Sequence, residues 1–137
     1  MESFNWLVIA GATLAAWILG ALWYSPLLFA KVWVAAHGYS PEKLKEMQAG
    51  AAKSYGGSLI AMFITATVLT LFLHHLSADS WQDGFNWGFH AWLGFAMPLG
   101  LTANLYSDKK FSTFLIDTGY QLVYLCVMGA ILGKFGA

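Results

Sequence analysis

Charged positions along this chain fall between long apolar runs. Residues Ser3–Ala30, Ser54–Ala78 and Gly84–Ser107 contain no Asp, Glu, Lys or Arg. The fourth run, Phe111–Gly133, contains one, Asp117. A helix needs about 20 apolar residues to cross the hydrocarbon core of a bilayer. Each run is long enough. The pattern therefore predicts an all-α, four-transmembrane-helix bundle, with spans at roughly 4–24, 57–76, 84–106 and 111–135.

Local signals refine this outline. Pro26 removes a backbone donor and crowds the carbonyl of Leu22, so the first span should kink or stop there. The next stretch, Leu27–Ala36, carries Phe29, Lys31 and Trp33 and reads as an interfacial helix or a kinked extension of the span. Gly38 can end it. Ser40-Pro41-Glu42 is a helix start, with an N-cap serine, a first-turn proline and a first-turn acid. In the polar stretch Glu42–Lys53, Leu44, Met47 and Ala51 recur at helical spacing, which predicts a short amphipathic helix on the water side. It should run into the second span unless Gly56-Gly57 bends it. Pro98 predicts a kink in the third span, and Ser107–Lys110 a tight turn.

Composition supports a membrane class. The chain is 58% apolar and 10% charged, against about a quarter charged in soluble domains. Residues 1–137 read as a single integral-membrane domain. Net charge is zero, so nothing points to nucleic acid. The basic residues are all lysines, which removes bidentate guanidinium recognition. Lys31, Lys43, Lys45 and Lys53 follow the first span, and Lys109 and Lys110 follow the third; only Lys134 lies on the other side. That asymmetry predicts a multi-pass protein of the cell membrane, with cytoplasmic Lys-rich loops and external termini. Met1-Glu2-Ser3 has no basic region, so the first apolar run reads as a retained span. The single Cys126 reads as a small buried apolar residue.

The clearest polar stripe lies in the fourth span. Asp117, Tyr120, Gln121 and Tyr124 fall at i, i+3, i+4 and i+7 and share one helix face. A carboxylate inside a span is costly and marks a site to test first. Two readings stay open: a group that carries a proton or binds a cation, and a structural carboxylate held by neighbouring hydroxyls. Asn104 flanks the same short turn as Asp117, so the two lie at similar depth and within hydrogen-bonding reach. Lys31 or Lys109 could pair with Asp117 from the inner interface. His90, with Met97 and Asn104 on roughly one face of the third span, is a polar-pathway candidate or a helix-packing donor. His74 and His75 close the second span, where Asp79, Asp83 and His90 could approach and suit Zn²⁺. Adjacent histidines diverge on a helix, and no H-x₃-H or C-x₂-C spacing occurs. No metal site is therefore assigned, and His74, His75 and His90 remain weak candidates. No spacing supports haem ligation, and no motif names a cofactor. Small residues recur every fourth position at Ala12-Ala16-Gly20, Gly57-Ala61-Thr65 and Gly129-Gly133, as ridges that let helices approach closely.

The block Trp23-Tyr24-Ser25-Pro26-Leu27-Leu28-Phe29, followed by Lys31 and Trp33, resembles the signature of a family of small bacterial membrane proteins, domain of unknown function 1761. Trp92-Leu93-Gly94-Phe95 with Pro98, Phe114-Leu115-Ile116 with Gly119-Tyr120, and Met128–Gly133 extend the resemblance over nearly the whole chain. The family's turn after the third span usually has an acid followed by Arg; here it reads Asp108-Lys109-Lys110. The resemblance implies a compact multi-pass membrane protein and supplies no catalytic residue.

Two functions fit this sequence. One is an oligomeric transporter or channel for a small solute, proton or cation, with Asp117, Tyr120, Gln121 and Asn104 lining a polar path. The other is an accessory subunit that docks a larger membrane complex or a lipid. An enzyme fits least, because no nucleophile or metal set is evident. The expected partners are the lipid bilayer and further copies of the chain or a larger membrane complex. Trp23, Tyr24, Ser25 and Pro26 are expected to form a structural hinge at the inner interface.

Overall fold

The computed structural model describes residues 3–136. Those residues are helical without strands. The helices are α1 (Trp6–Trp23), α2 (Ala30–His37), α3 (Pro41–Ala49), α4 (Ala51–His75), α5 (Trp81–Ala91), α6 (Met97–Tyr106) and α7 (Phe111–Phe135), with a π-turn at Trp92–Ala96 joining α5 to α6. Among the described residues, α1, α4 and α7 are long and apolar enough to cross a membrane.

Each boundary has a local cause. α1 stops at Trp23, three residues before Pro26. Pro26 has no N–H to give to the Leu22 carbonyl. Ser25 serves that carbonyl instead, through its backbone N at 3.1 Å and its Oγ at 2.6 Å. The break expected at Pro26 is thus present, and α2 begins beyond it. Gly38 ends α2 in the left-handed region at φ 68°, where only glycine is unstrained. The Ser40 hydroxyl caps α3 by accepting from the Lys43 amide at 3.1 Å. The break before the second long helix lies at Gly50, not at Gly56-Gly57, which sit inside α4. Each glycine costs about 1 kcal/mol in a helix interior, which is too little to break 25 residues of otherwise cooperative helix.

The third apolar run is helical from Trp81 to Tyr106 but is not one uniform helix. At the π-turn the Met97 amide bonds to the Trp92 carbonyl, five residues back. Pro98 cannot donate to Gly94 and its ring crowds that carbonyl. A widened turn just before the proline relieves the conflict. The kink expected at Pro98 takes this form. It leaves α5 with 11 residues and α6 with 10, each short of a spanning length.

α7 is the central element and packs against α1, α2, α4, α5 and α6. Its closest partner is α5. Gly84 and Gly88 of α5 face Gly129 and Gly133 of α7, with backbone against backbone. A Cβ at Gly84 would overlap the Gly129 carbonyl, and one at Gly88 the Leu125 carbonyl. The main core lies between α1, α4 and α7: Ile9, Ala12, Ala16, Ala66, Leu69, Leu73, Met128 and Leu132. The Ala12-Ala16 ridge therefore faces inward. The Gly57-Ala61 ridge stays exposed, and nothing lies within 4 Å of a Cβ at Gly57. Large apolar side chains such as Leu7, Leu27, Phe95 and Leu99 are also exposed. Apolar surface on this scale is a mark of membrane or protein contact.

Candidate functional site: the caged carboxylate of α7

Asp117 sits on the second turn of α7, half-buried against the connection between α1 and α2. The break after Trp23 folds that connection back onto α7. The Trp23 indole donates to the Ile116 carbonyl at 3.0 Å. The Tyr24 hydroxyl donates to Asp117 Oδ1 at 2.6 Å. The Trp33 indole, from α2, donates to the same oxygen at 3.2 Å. Ser25 holds the turn that places them, since its Oγ also accepts from the Leu27 amide at 3.2 Å. Phe29 packs on the Trp23 ring at 4.8 Å. The Trp-Tyr-Ser-Pro block is thus a hinge and also the clamp on a carboxylate.

The cage is made of neutral donors. Among the described residues no lysine reaches Asp117 within 4.0 Å, and the ion pair found there is Lys43–Glu46. The pairing expected with Lys31 or Lys109 is not formed, and the donors that reach Asp117 are an indole and a phenol on Oδ1. Oδ2 receives no protein hydrogen bond among the described residues. Asp117 lines a cavity of about 250 Å³ together with Asn104, Lys109, Thr113, Thr118 and Gln121. Gln121 Oε1 is buried there without a partner.

Asn104 shares the cavity but does not bond to Asp117. Its Nδ2 reaches the Lys110 carbonyl and the Thr113 hydroxyl, both at 3.2 Å. Asn104 lies level with the first turn of α7, while Asp117 is a turn deeper, about 6 Å along the helix axis. Tyr120 turns the other way and donates to the Ala16 carbonyl at 2.7 Å. Its ring meets Tyr24 at 5.6 Å and Tyr124 at 4.8 Å. The sequence stripe therefore divides. Asp117 lies between the α1–α2 connection and the cavity beside α6, Gln121 lines that cavity, and Tyr120 faces α1.

The histidines lie elsewhere. His90 is exposed, bonds through Nδ1 to the Asn86 carbonyl at 2.8 Å and does not line the Asp117 cavity. His75 likewise bonds to the Leu71 carbonyl at 3.0 Å. His74 packs edge-on to Phe4 at 5.3 Å. Among the described residues no three His, Cys, Asp or Glu side chains converge as a metal site would require. His37 belongs to the cage instead. It stacks on Tyr39 at 4.9 Å and packs on Trp33 at 4.3 Å. Burial, then the Lys109 charge, hold its pKa below the usual imidazole value, while Asp117 pulls the other way. Sequence reasoning passed over His37, and gave Tyr24 and Trp33 no part in holding Asp117. Their only signal was two donor-bearing aromatics flanking a proline break. Trp92, which donates to the Thr118 carbonyl at 2.8 Å, was missed in the same way.

Fold and site together define an all-helical protein with three helices able to cross a membrane and a carboxylate caged on the central one. Residues 7–133 match the family described as Protein of unknown function (DUF1761). The chain belongs to that family. No curated relative and no solved structure gives a significant match.

Proposed function

We propose that this chain is a four-span membrane protein that binds a small cation or a proton at Asp117 and passes it across the bilayer. In this reading α5, the π-turn and α6 cross together as one span. The helical run Trp81–Tyr106 supports this, since 26 residues rise about 39 Å. At the π-turn the Trp92 carbonyl stays bonded within the helix, to the Met97 amide. The Lys-rich loops face the cytoplasm and the termini lie outside. One observation carries the functional reading. Asp117 stands on a membrane-length helix, is held by two neutral donors with no lysine within 4.0 Å, and lines a cavity shared with Asn104, Gln121 and Lys109. A structural carboxylate is better served by a matching positive charge or a full set of donors. This one keeps an acceptor for a ligand.

The test is flux into liposomes carrying the purified protein. Proton or monovalent-cation flux is expected from the wild type and lost in Asp117→Asn, which keeps the shape but not the charge. Wild-type and mutant vesicles that behave alike would refute the reading.

A second reading is supported by the exposed Gly57-Ala61 ridge on α4. Small-residue ridges let helices approach closely in membranes. It fits a chain that docks further copies of itself or a larger membrane complex. Cross-linking in native membranes at Gly57→Cys separates a self-associated protein from a monomer.

A further inference from the structure

A second cavity, of about 440 Å³, is lined by Tyr24 and by residues of α1, α4 and α7. We propose that it is a binding site for a quaternary ammonium cation, with Trp17, Tyr24, Tyr55 and Tyr120 as its walls and Asp117 as the counter-charge. This inference rests on the Asp117 reading above for its counter-charge, since Asp117 lines the other cavity and is joined to this one through the Tyr24 hydroxyl.

The lining is unusual in how its polar tips are spent. The Trp17 indole N–H is bonded to the Tyr55 carbonyl at 3.1 Å. The Tyr24 hydroxyl is bonded to Asp117 and the Tyr120 hydroxyl to the Ala16 carbonyl. These three side chains therefore have no free N–H or O–H for an anion, and what they bring to the cavity is aromatic ring. Gly20 makes room for this arrangement, since a Cβ there would come within 2.6 Å of the Tyr120 hydroxyl. Aromatic faces attract cations through the ring quadrupole, and sets of such rings recognise quaternary ammonium groups.

Charge complementarity points the same way. The Asp117 carboxylate stands one 2.6 Å hydrogen bond behind the Tyr24 ring. That bond also enriches the phenol ring in electron density. No lysine neutralises Asp117 within 4.0 Å among the described residues. The choice of a quaternary cation follows from desolvation. The Tyr55 and Ser58 hydroxyls are the remaining polar side-chain groups of the lining. A primary ammonium with three N–H donors, or a metal ion with a full coordination shell, needs more partners than these, and burying the shortfall is costly. A trimethylammonium group has no N–H to satisfy. It belongs equally to a free small molecule or to the choline headgroup of a lipid.

The test uses the full chain in nanodiscs of phosphatidylglycerol, titrated with benzyltrimethylammonium and with its neutral carbon isostere, neopentylbenzene. Saturable binding of the cation is expected, with the isostere at least about tenfold weaker, the scale of one desolvated cation–π contact. Tyr55→Leu removes an exposed wall residue, and Tyr24→Phe keeps the ring but cuts its link to Asp117. Each should weaken the cation about tenfold while leaving the isostere unchanged. Equal binding of cation and isostere would overturn the proposal, as would wild-type affinity in both variants or no binding at all. Repeating the titration in phosphatidylcholine tells the two sources apart. Loss of binding there assigns the site to the lipid headgroup, and unchanged binding to a free cation; both support the site. If the ammonium fails to bind but Asp117-dependent flux persists, this inference falls and the reading of Asp117 stands.

Discussion

Gly88→Ala tests the seam that holds the third apolar run to α7. A Cβ on Gly88 would lie 2.8 Å from the Leu125 carbonyl carbon and 3.2 Å from Cys126 Cα. Carbon atoms pack at about 3.5–4.0 Å, so α5 must withdraw by on the order of 1 Å. The obstacle is the α7 backbone, which no change of rotamer can move. The withdrawal also opens the contacts of Gly84 with Gly129 and Gly133, four residues away. A gap of this size forfeits about a quarter to a half of the dispersion attraction of each contact. Overpacking typically costs about 1–3 kcal/mol, and an immovable neighbour places this site at the upper end. Alanine's better helix propensity returns about 1 kcal/mol. The net loss should be about 2 kcal/mol. Gly57→Ala is the matched control, because nothing lies within 4 Å of its added methyl. It gains the propensity term without the clash and should be neutral or stabilising by up to about 1 kcal/mol. Thermal inactivation in one detergent, followed by size-exclusion chromatography, reads both variants. If Gly88→Ala melts with the wild type, or Gly57→Ala loses as much, the close-packed seam is not what holds α5 to α7.

Further expectations follow from the cage and the topology. Tyr24→Phe removes a hydrogen bond to a charged group and should cost about 1.5–3 kcal/mol in the same assay, with Tyr39→Phe as a silent comparison. His37 is a base whose folded-state pKa is depressed, so the unfolded chain binds its proton first. Stability should be full above the unfolded value of 6.5 and fall as pH drops below it. His37→Gln should flatten that fall in melts taken between pH 7.5 and pH 5; an unchanged slope would exclude His37 as its source. A periplasmic phosphatase fused after Gly136 should be active and one fused at Met47 inactive, and the reverse pattern would overturn the orientation.

The positions of the helices were legible in the sequence. Three of the four apolar runs gave membrane-length helices, because backbone in an apolar setting must satisfy its own polar groups, and the third was divided at the π-turn before Pro98. The stops at Trp23 and Gly38 and the start at Pro41 were also readable, since proline, glycine and serine act through their own backbone or through neighbours a few residues away. Asp117 was legible as the odd carboxylate in an apolar run. What it touches was not. Tyr24 and Trp33 lie 93 and 84 residues from it along the chain, and no periodicity encodes which turn folds onto which helix. The same holds for the stripe on α7. Helical spacing placed Asp117, Tyr120, Gln121 and Tyr124 together, yet packing sent Asp117 and Gln121 to one cavity, Tyr120 to the other and Tyr124 against the core. The Gly84-Gly88 seam escaped notice because a glycine pair in one helix means close approach only once its counterpart is known. The sequence by itself thus determined where the helical runs lie, the ends set by proline, glycine and capping serine, and the one carboxylate within them, all short-range consequences of residue type. Only the tertiary structure decided the neutral cage, the two cavities and the glycine seam, because each depends on groups that meet across helices.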